Sequence, residues 1–185
     1  ALELTDVERA GYEGDGRTPH WRFRLADAAP IEWQDLVRGP QRFDPAALGD
    51  PVVRRADGSW LSLLPSVIDD ADLAVPDVLR GEDHVTNTAV QIQMFAALGA
   101  PVPRFGHFAL LTGATGKLSK RAGEAGVAGL REEGIEPLAL LALLARLGTS
   151  DPVEPVAHLG ALIDGFEISR FGRAPARFDP AELAL

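Results

Sequence analysis

Lys117, Ser119, Lys120 and Arg121 fall within five residues, in the string GKLSKR at positions 116–121. Lys117 and Lys120 are the two lysines of the chain, and the other sixteen basic residues are arginine. Three cations this close repel one another unless an anion sits against them. Gly113 and Gly116 free the backbone to move and to approach a ligand, and Ser119 adds a hydroxyl. Lysine is a compact charge on a flexible stem, whereas arginine imposes a planar fork. The loop therefore suits a polyphosphate whose charge shifts during reaction. The competing interpretation is a solvated basic loop. It is not a P-loop, because Gly113 and Gly116 stand too close together and Leu118, rather than Ser or Thr, follows Lys117.

Other residues could also do chemistry. Arg80, in RGED, could grip a carboxylate with two hydrogen bonds, or pair structurally with Glu82, Asp83 or Asp70. Asp69-Asp70 could hold a metal, but a helix-end or turn pair is the stronger interpretation. His84 could touch nucleotide or RNA, or cap its loop. Arg22, Arg24, Arg38 and Arg42 could meet phosphates or neighbouring carboxylates. Trp21, Trp33 and Trp60 are expected in the core rather than as base-stacking platforms. The four histidines (His20, His84, His107, His158) show no ligand-like spacing, so no metal site is expected.

Residues 1–58 read as short strands and turns that must carry these groups. HWRFRLA alternates as a half-buried strand does, EWQDLVRGPQRFD reads as a strand pair around Gly39-Pro40, and RADG as a hairpin turn. WLSLLPSVIDDADL predicts a helix with Pro65 as a kink or early breaker. PDVLRGED predicts a short buried strand. TNTAVQIQMFAALGAP predicts a helix capped by Thr86 or Asn87 and stopped by Gly99 and Pro101. RFGHFALLTG predicts a further strand. Strand, helix, strand over about 30 residues is a βαβ unit and implies a parallel sheet. Ligands bind at the carboxyl ends of such strands, where Arg80 and the 112–121 loop fall. Residues 124–185 predict helices: one over GIEPLALLALLARLG, a shorter one over PVEPVAHLGALIDGF, and a third starting in DPAELAL.

The 185 residues carry a net charge of −9 and a pI near 4.9, which argues against a generally polyanion-coated protein but not against a local basic patch. Hydrophobic residues make up 46%, enough for a core. The absence of cysteine excludes disulfides and thiolate metal sites. No apolar run reaches the roughly 18 residues of a membrane span. No signal peptide is visible, so a cytoplasmic protein is expected. The ends, ALEL without an initiator Met and FDPAELAL in mid-helix, read as cut, which predicts a piece of a longer protein.

GKLSKR resembles the lysine-serine-lysine loop of class I aminoacyl-tRNA synthetases, the KMSKS motif. VIDDADLAVPDVLRGEDHVTNTAVQIQMFAALGAPVPRFGHFALL resembles the second half of the catalytic domain of bacterial glutamyl-tRNA synthetases. LVRGPQRFD and RRADGSW match the stretch before it, and LREEGIEPLALLALLARLGTSD the helical region after it. The resemblance covers roughly residues 20–182. It implies an α/β fold: a β-containing remnant of the tRNA acceptor-binding insertion (1–50), the second half of a nucleotide-binding parallel sheet (51–122) and a helical stem-contact region (123–185). It implies ATP-dependent activation of L-glutamate and transfer to tRNA(Glu), with Mg²⁺ accompanying ATP, in a parent protein that is a monomer.

By the same resemblance, Lys117, Ser119 and Lys120 are catalytic, and Lys117, Lys120 and Arg121 bind ATP, with Lys120 the strongest contact. Arg80, Ser62 and Ser66 bind the amino acid. Ser62 stands where many members carry a tyrosine of the glutamate pocket, and Ser66 at a neighbouring amide position. No His-x-Gly-His or His-x-Gly-Asn string occurs. By family order it would precede residue 1, and an anticodon-binding domain would follow residue 185. The expectation is a glutamate–tRNA ligase fragment, inactive alone and exposing a sheet edge that favours self-association. The alternative is a synthetase-like paralogue, or a tRNA- or protein-binding module without aminoacylation activity.

Overall fold

A computed structural model describes residues 4–113, 116–117, 126–179 and 183. The chain divides into two compact units. One comprises Ala1–Glu32, Arg42–Pro76 and Thr86–Pro103, and the other Trp33–Gln41, Asp77–Val85 and Arg104–Leu185.

In the first unit, α1 (Asp6–Gly14) opens on a capping box in which Thr5 and Glu8 satisfy each other's backbone donors. Strands β1 (Trp21–Arg22) and β4 (Val52–Arg54) pair antiparallel. The RADG turn is present, and Trp60 bridges back to Arg54. The predicted half-buried strand over HWRFRLA shrinks to these two exposed residues. The core placement of Trp21 and Trp60 is also corrected. Trp21 and Trp60 are 55% and 50% exposed. Their rings meet edge to face, with the Arg54 guanidinium 5.1 and 5.3 Å from the two centroids. A two-stranded ribbon has no second layer, so these rings bury surface against each other and the arginine.

Helix α2 (Pro45–Leu48) is capped by Asp44. Helix α3 (Leu63–Asp72) has Pro65 in its first turn, where no amide donor is needed, so it neither kinks nor breaks there. Asp69 and Asp70 lie in its last turn, as expected of a helix-end pair. Helix α4 (Val85–Leu98) runs on from a 3-10 turn at Glu82–His84. Thr86 and Asn87 are therefore inside the helix rather than at its cap. Gly99 ends it with a φ of +67°, a conformation that favours glycine. Val67, Ala89, Val90, Met94 and Phe95 form the buried apolar residues of α3 and α4.

The second unit holds the parallel pair that the βαβ pattern predicts. Strand β5 (Asp77–Gly81) lies beside β6 (Arg104–Phe108) in register Asp77↔Arg104 through Gly81↔Phe108. β5 is half-buried rather than buried, with Leu79 exposed. The hairpin β2 (Ile31–Asp35) and β3 (Gly39–Phe43) turns at residues 36–38, not on Gly39-Pro40, which begin β3. The predicted strand over RFGHFALLTG breaks in two, β6 and β7 (Leu111–Gly113). β7 pairs antiparallel with β8 (Gly116–Lys117) and parallel with β9 (Ala176–Arg177). β9 corrects the all-helical expectation for residues 124–185; its two residues are too short to show a period.

Helices α5 (Val127–Glu132) and α6 (Pro137–Arg146, with proline at N1) precede Gly148, whose φ is +90°. Helix α7 (Leu159–Asp164) starts later than PVEPVAHLGALIDGF suggested. Pro152 and Pro155 delay it, and His158 Nδ1 accepts from Ala161 N–H at its cap. The helix predicted to start in DPAELAL lies outside the described residues apart from Leu183. Leu143, fully buried, centres a cluster with Leu130, Phe178 and Leu183. Among the described residues no helix is long and apolar enough to cross a membrane. Leu143→Ala should lower stability by about 2–5 kcal/mol through the cavity it leaves, read as a shift of the urea midpoint with unchanged slope.

Candidate functional site

The register of β5 on β6 sets Arg80 directly across from His107, one residue before the carboxyl end of each strand. Arg80 Nε–H donates to His107 Nε2 at 3.3 Å. The guanidinium also lies 5.5 Å from the centroid of the Phe105 ring, itself stacked with the His107 ring at 18°. Phe105 and His107 are alternate residues of one strand, so they share a face. The bidentate Arg104–Asp77 pair, at 2.6 and 2.7 Å, closes the opposite end of the two strands.

Beneath Arg80 lies a buried polar pair. His107 is fully buried and Asp35 is 2% exposed. His107 Nδ1 is 2.5 Å from Asp35 Oδ2. Asp35 Oδ1 accepts the backbone N–H groups of Val37, Arg38 and His107 at 3.1, 2.9 and 3.1 Å. The same hairpin turn is fixed by Leu36 N–H donating to Phe105 C=O at 2.8 Å. Gly106 eases this approach: a Cβ there would stand 2.8 Å from Leu79 Cδ2 and 3.3 Å from Leu36 Cβ.

Burial opposes the charge of Asp35. The hydrogen bonds from Arg38, the His107 ring, Val37 and the His107 backbone outweigh it and hold the carboxyl below its ordinary range. Burial also pushes His107 down, helped by the charges of Arg80 and Arg38 and opposed by Asp35. Asp35 is thus a carboxylate and His107 a neutral ring, with its proton on Nδ1.

Among the other candidates, Glu82 pairs with Arg38 at 2.5 Å and Arg42 with Glu32. These two arginines meet carboxylates, while Arg22 donates to Asp50 C=O at 2.6 Å. His84 ends the 3-10 turn, 3.9 Å from Asp83. Ser62 is exposed at the N-cap of α3 and makes no capping hydrogen bond. Ser66 is half-buried; its hydroxyl donates to Leu63 C=O at 3.1 Å and accepts from buried Gln91 at 3.0 Å. Lys117 belongs to β8, opposite Thr112. Ser119, Lys120 and Arg121 lie outside the described residues. Among the described residues, no three carboxylate or imidazole groups gather where a metal ion could be held.

The sequence reading missed Asp35 and paired His107 with nothing. The available signal was a histidine inside the bulky run RFGHFALL, where an imidazole must find a partner. Chemically, Arg80 is an arginine anchored through Nε. Its two terminal nitrogens are the pair that meets a carboxylate through parallel hydrogen bonds, and it stands where parallel sheets bind ligands.

The described residues form an α/β chain with a cation near the carboxyl end of a parallel strand pair, the place where such sheets bind ligands. Over residues 1–183 its sequence matches the family of class I tRNA synthetases (E and Q), catalytic domain, and the chain belongs to that family. It is 67% identical over 183 residues to glutamate–tRNA ligase 1 of Rhizorhabdus wittichii, covering 99% of this chain and 41% of that protein. It is 68% identical over 171 residues to glutamate–tRNA ligase 2 of Sphingopyxis alaskensis, covering 92% and 39%. A crystal structure of a glutamate tRNA ligase from Elizabethkingia meningosepticum, in complex with its amino acid, superposes with a TM-score of 0.81 at 26% identity, covering 99% of this chain and 40% of that one. The glutamate-tRNA synthetase of Elizabethkingia anophelis gives 0.82 at 26% identity, covering 99% of this chain and 41% of that one. The expected fold class, that of a class I synthetase catalytic region, is therefore the one found. The chain spans about 40% of the length of these relatives.

The two shifted pKa values act in the same direction. Above about pH 6.5 His107 is neutral whether folded or unfolded. On acidification the unfolded chain takes the proton first, so stability falls from there downward. Asp35 adds a further loss below about pH 3.9, where the unfolded carboxyl protonates and the folded one resists. The melting temperature should therefore drop between pH 7 and pH 5, with a shallower slope in His107→Asn. Equal slopes for the two proteins would contradict the buried neutral ring.

Proposed function

We propose that this chain supplies part of the catalytic region of a glutamate–tRNA ligase. The observation that carries this reading is its identity of about two thirds to glutamate–tRNA ligases over nearly its whole length. In the reaction, the α-carboxylate of L-glutamate attacks the α-phosphate of ATP and pyrophosphate leaves. The glutamyl group then passes from the adenylate to the terminal adenosine of tRNA(Glu), releasing AMP. Arg80 binds the amino acid, and Ser62 and Ser66 are also amino-acid-binding residues. Lys117, Ser119, Lys120 and Arg121 hold the ATP phosphates, and Lys117 and Lys120 offset the charge that develops on the leaving pyrophosphate. Catalysis of this kind is positioning and electrostatics. Mg²⁺ enters with ATP as the counter-ion of its phosphates rather than on a protein site. Residues 1–50, 51–122 and 123–185 take the insertion, nucleotide-binding and stem-contact roles. The parent acts as a cytoplasmic monomer.

This reading is tested by ATP–pyrophosphate exchange with glutamate and tRNA. The 185-residue chain alone should show no exchange, and the chain extended to the length of its relatives should show it. In the extended protein, Lys120→Ala should cut kcat by about 10²–10³-fold. Inactivity of both forms would leave the alternative, a synthetase-like module that binds tRNA without charging it.

A further inference from the structure

The register brings Arg80 opposite His107, but register alone leaves a long side chain with its rotamer freedom. Among the contacts that restrain it are the Phe105 ring face and the bond from Nε–H to His107 Nε2. The second depends on which ring nitrogen carries the proton. Asp35 takes the Nδ1–H at 2.5 Å, and Nε2 is left with a lone pair for Arg80. The opposite tautomer would set a donor against a donor.

The ring bond is not what fixes the hairpin turn. Asp35 already accepts three backbone N–H groups there, and Leu36 is tied to Phe105 independently. An apolar side chain at position 107 would fill the same buried volume without the cost of burying an imidazole. What the imidazole adds is an acceptor of fixed direction on the edge that faces Arg80.

We propose that Asp35 and His107 are positioning residues for Arg80: Asp35 fixes the His107 tautomer, and His107 Nε2 aims the Arg80 guanidinium at the carboxylate of the bound amino acid. The proposal rests on the reading of Arg80 as the amino-acid contact. Asp35 and His107 touch no substrate themselves, and their effect is on how well Arg80 is preorganised.

The substitutions separate a positioning role from a packing role. Asparagine at 107 can still donate to Asp35 from the place of Nδ1 but offers nothing at the place of Nε2. Glutamine reaches the place of Nε2 and restores an acceptor. In the chain extended to the length of its relatives, measured by ATP–pyrophosphate exchange, His107→Asn should raise the KM for glutamate roughly 10-fold. The KM for ATP and kcat should change far less, and His107→Gln should recover most of the loss. Arg80→Lys serves as the reference and should raise the same KM at least as much. If Arg80→Lys raises the glutamate KM and His107→Asn does not, the positioning proposal is overturned while the role of Arg80 stands. If Arg80→Lys has no effect, the reading of Arg80 fails and the proposal fails with it.

A second readout needs no variant to fold. In the 185-residue chain, nitrogen-15 NMR at pH 7 should show His107 protonated on Nδ1 and bare on Nε2, with a slowly exchanging Arg80 Nε–H. Protonated Nε2 would overturn the proposal.

Discussion

The parallel register of β5 on β6 is the constraint on which the candidate site depends. Successive strand residues point to opposite faces, so a slip of one residue would turn Arg80 away from His107. The pairing is closed at one end by the bidentate Asp77–Arg104 pair. Exposed as it is, that pair contributes little to stability, but its fork geometry is correct only in this register. Gly106 accommodates the same alignment from the side, since it leaves room for Leu36 and Leu79 against β6. The hairpin turn carrying Asp35 therefore reaches β6 where His107 lies.

A carboxylate and an imidazole out of water are costly unless their hydrogen bonds are complete. Here they are close to complete. Asp35 accepts from three backbone donors, the His107 ring and, at 3.4 Å, the Trp33 indole N–H, and His107 uses both nitrogens. Among the described residues no buried side-chain polar atom lacks a partner. The pair thus joins three segments distant in sequence, the 35–38 turn, β5 and β6, into one electrostatic unit. Its expected acid sensitivity follows from the same bonds: protonation of Asp35 removes the acceptor of the His107 Nδ1–H, and protonation of His107 Nε2 removes the acceptor of the Arg80 Nε–H.

The first unit shows how local chemistry can satisfy a segment with little core beneath it. Thr5 and Glu8 cap α1, Asp44 caps α2, and Trp21, Arg54 and Trp60 bury surface on one another. Ser66 illustrates a different demand on a residue expected to line a pocket. Its hydroxyl meets the amide of buried Gln91, tying α3 to α4. A small polar side chain at that point serves packing whatever else it serves.

The sequence by itself determined the α/β class, the parallel β5–α4–β6 unit, the helix over GIEPLALLALLARLG, and Arg80 as a cation near a strand's carboxyl end. These depend on periodicity, proline and glycine punctuation and motif strings, which are local and survive without coordinates. The two-residue strands β8 and β9 were not legible, because two residues cannot carry a period, and β1 was anticipated only as part of a longer strand. The exposure of Trp21 and Trp60 was not legible either, since a bulky residue gives no sign of whether a second layer covers it. Only the tertiary structure joined Asp35 to His107 and His107 to Arg80. Seventy-two residues separate the first two, and a hydrogen bond between them is a property of register and turn geometry, not of composition or spacing.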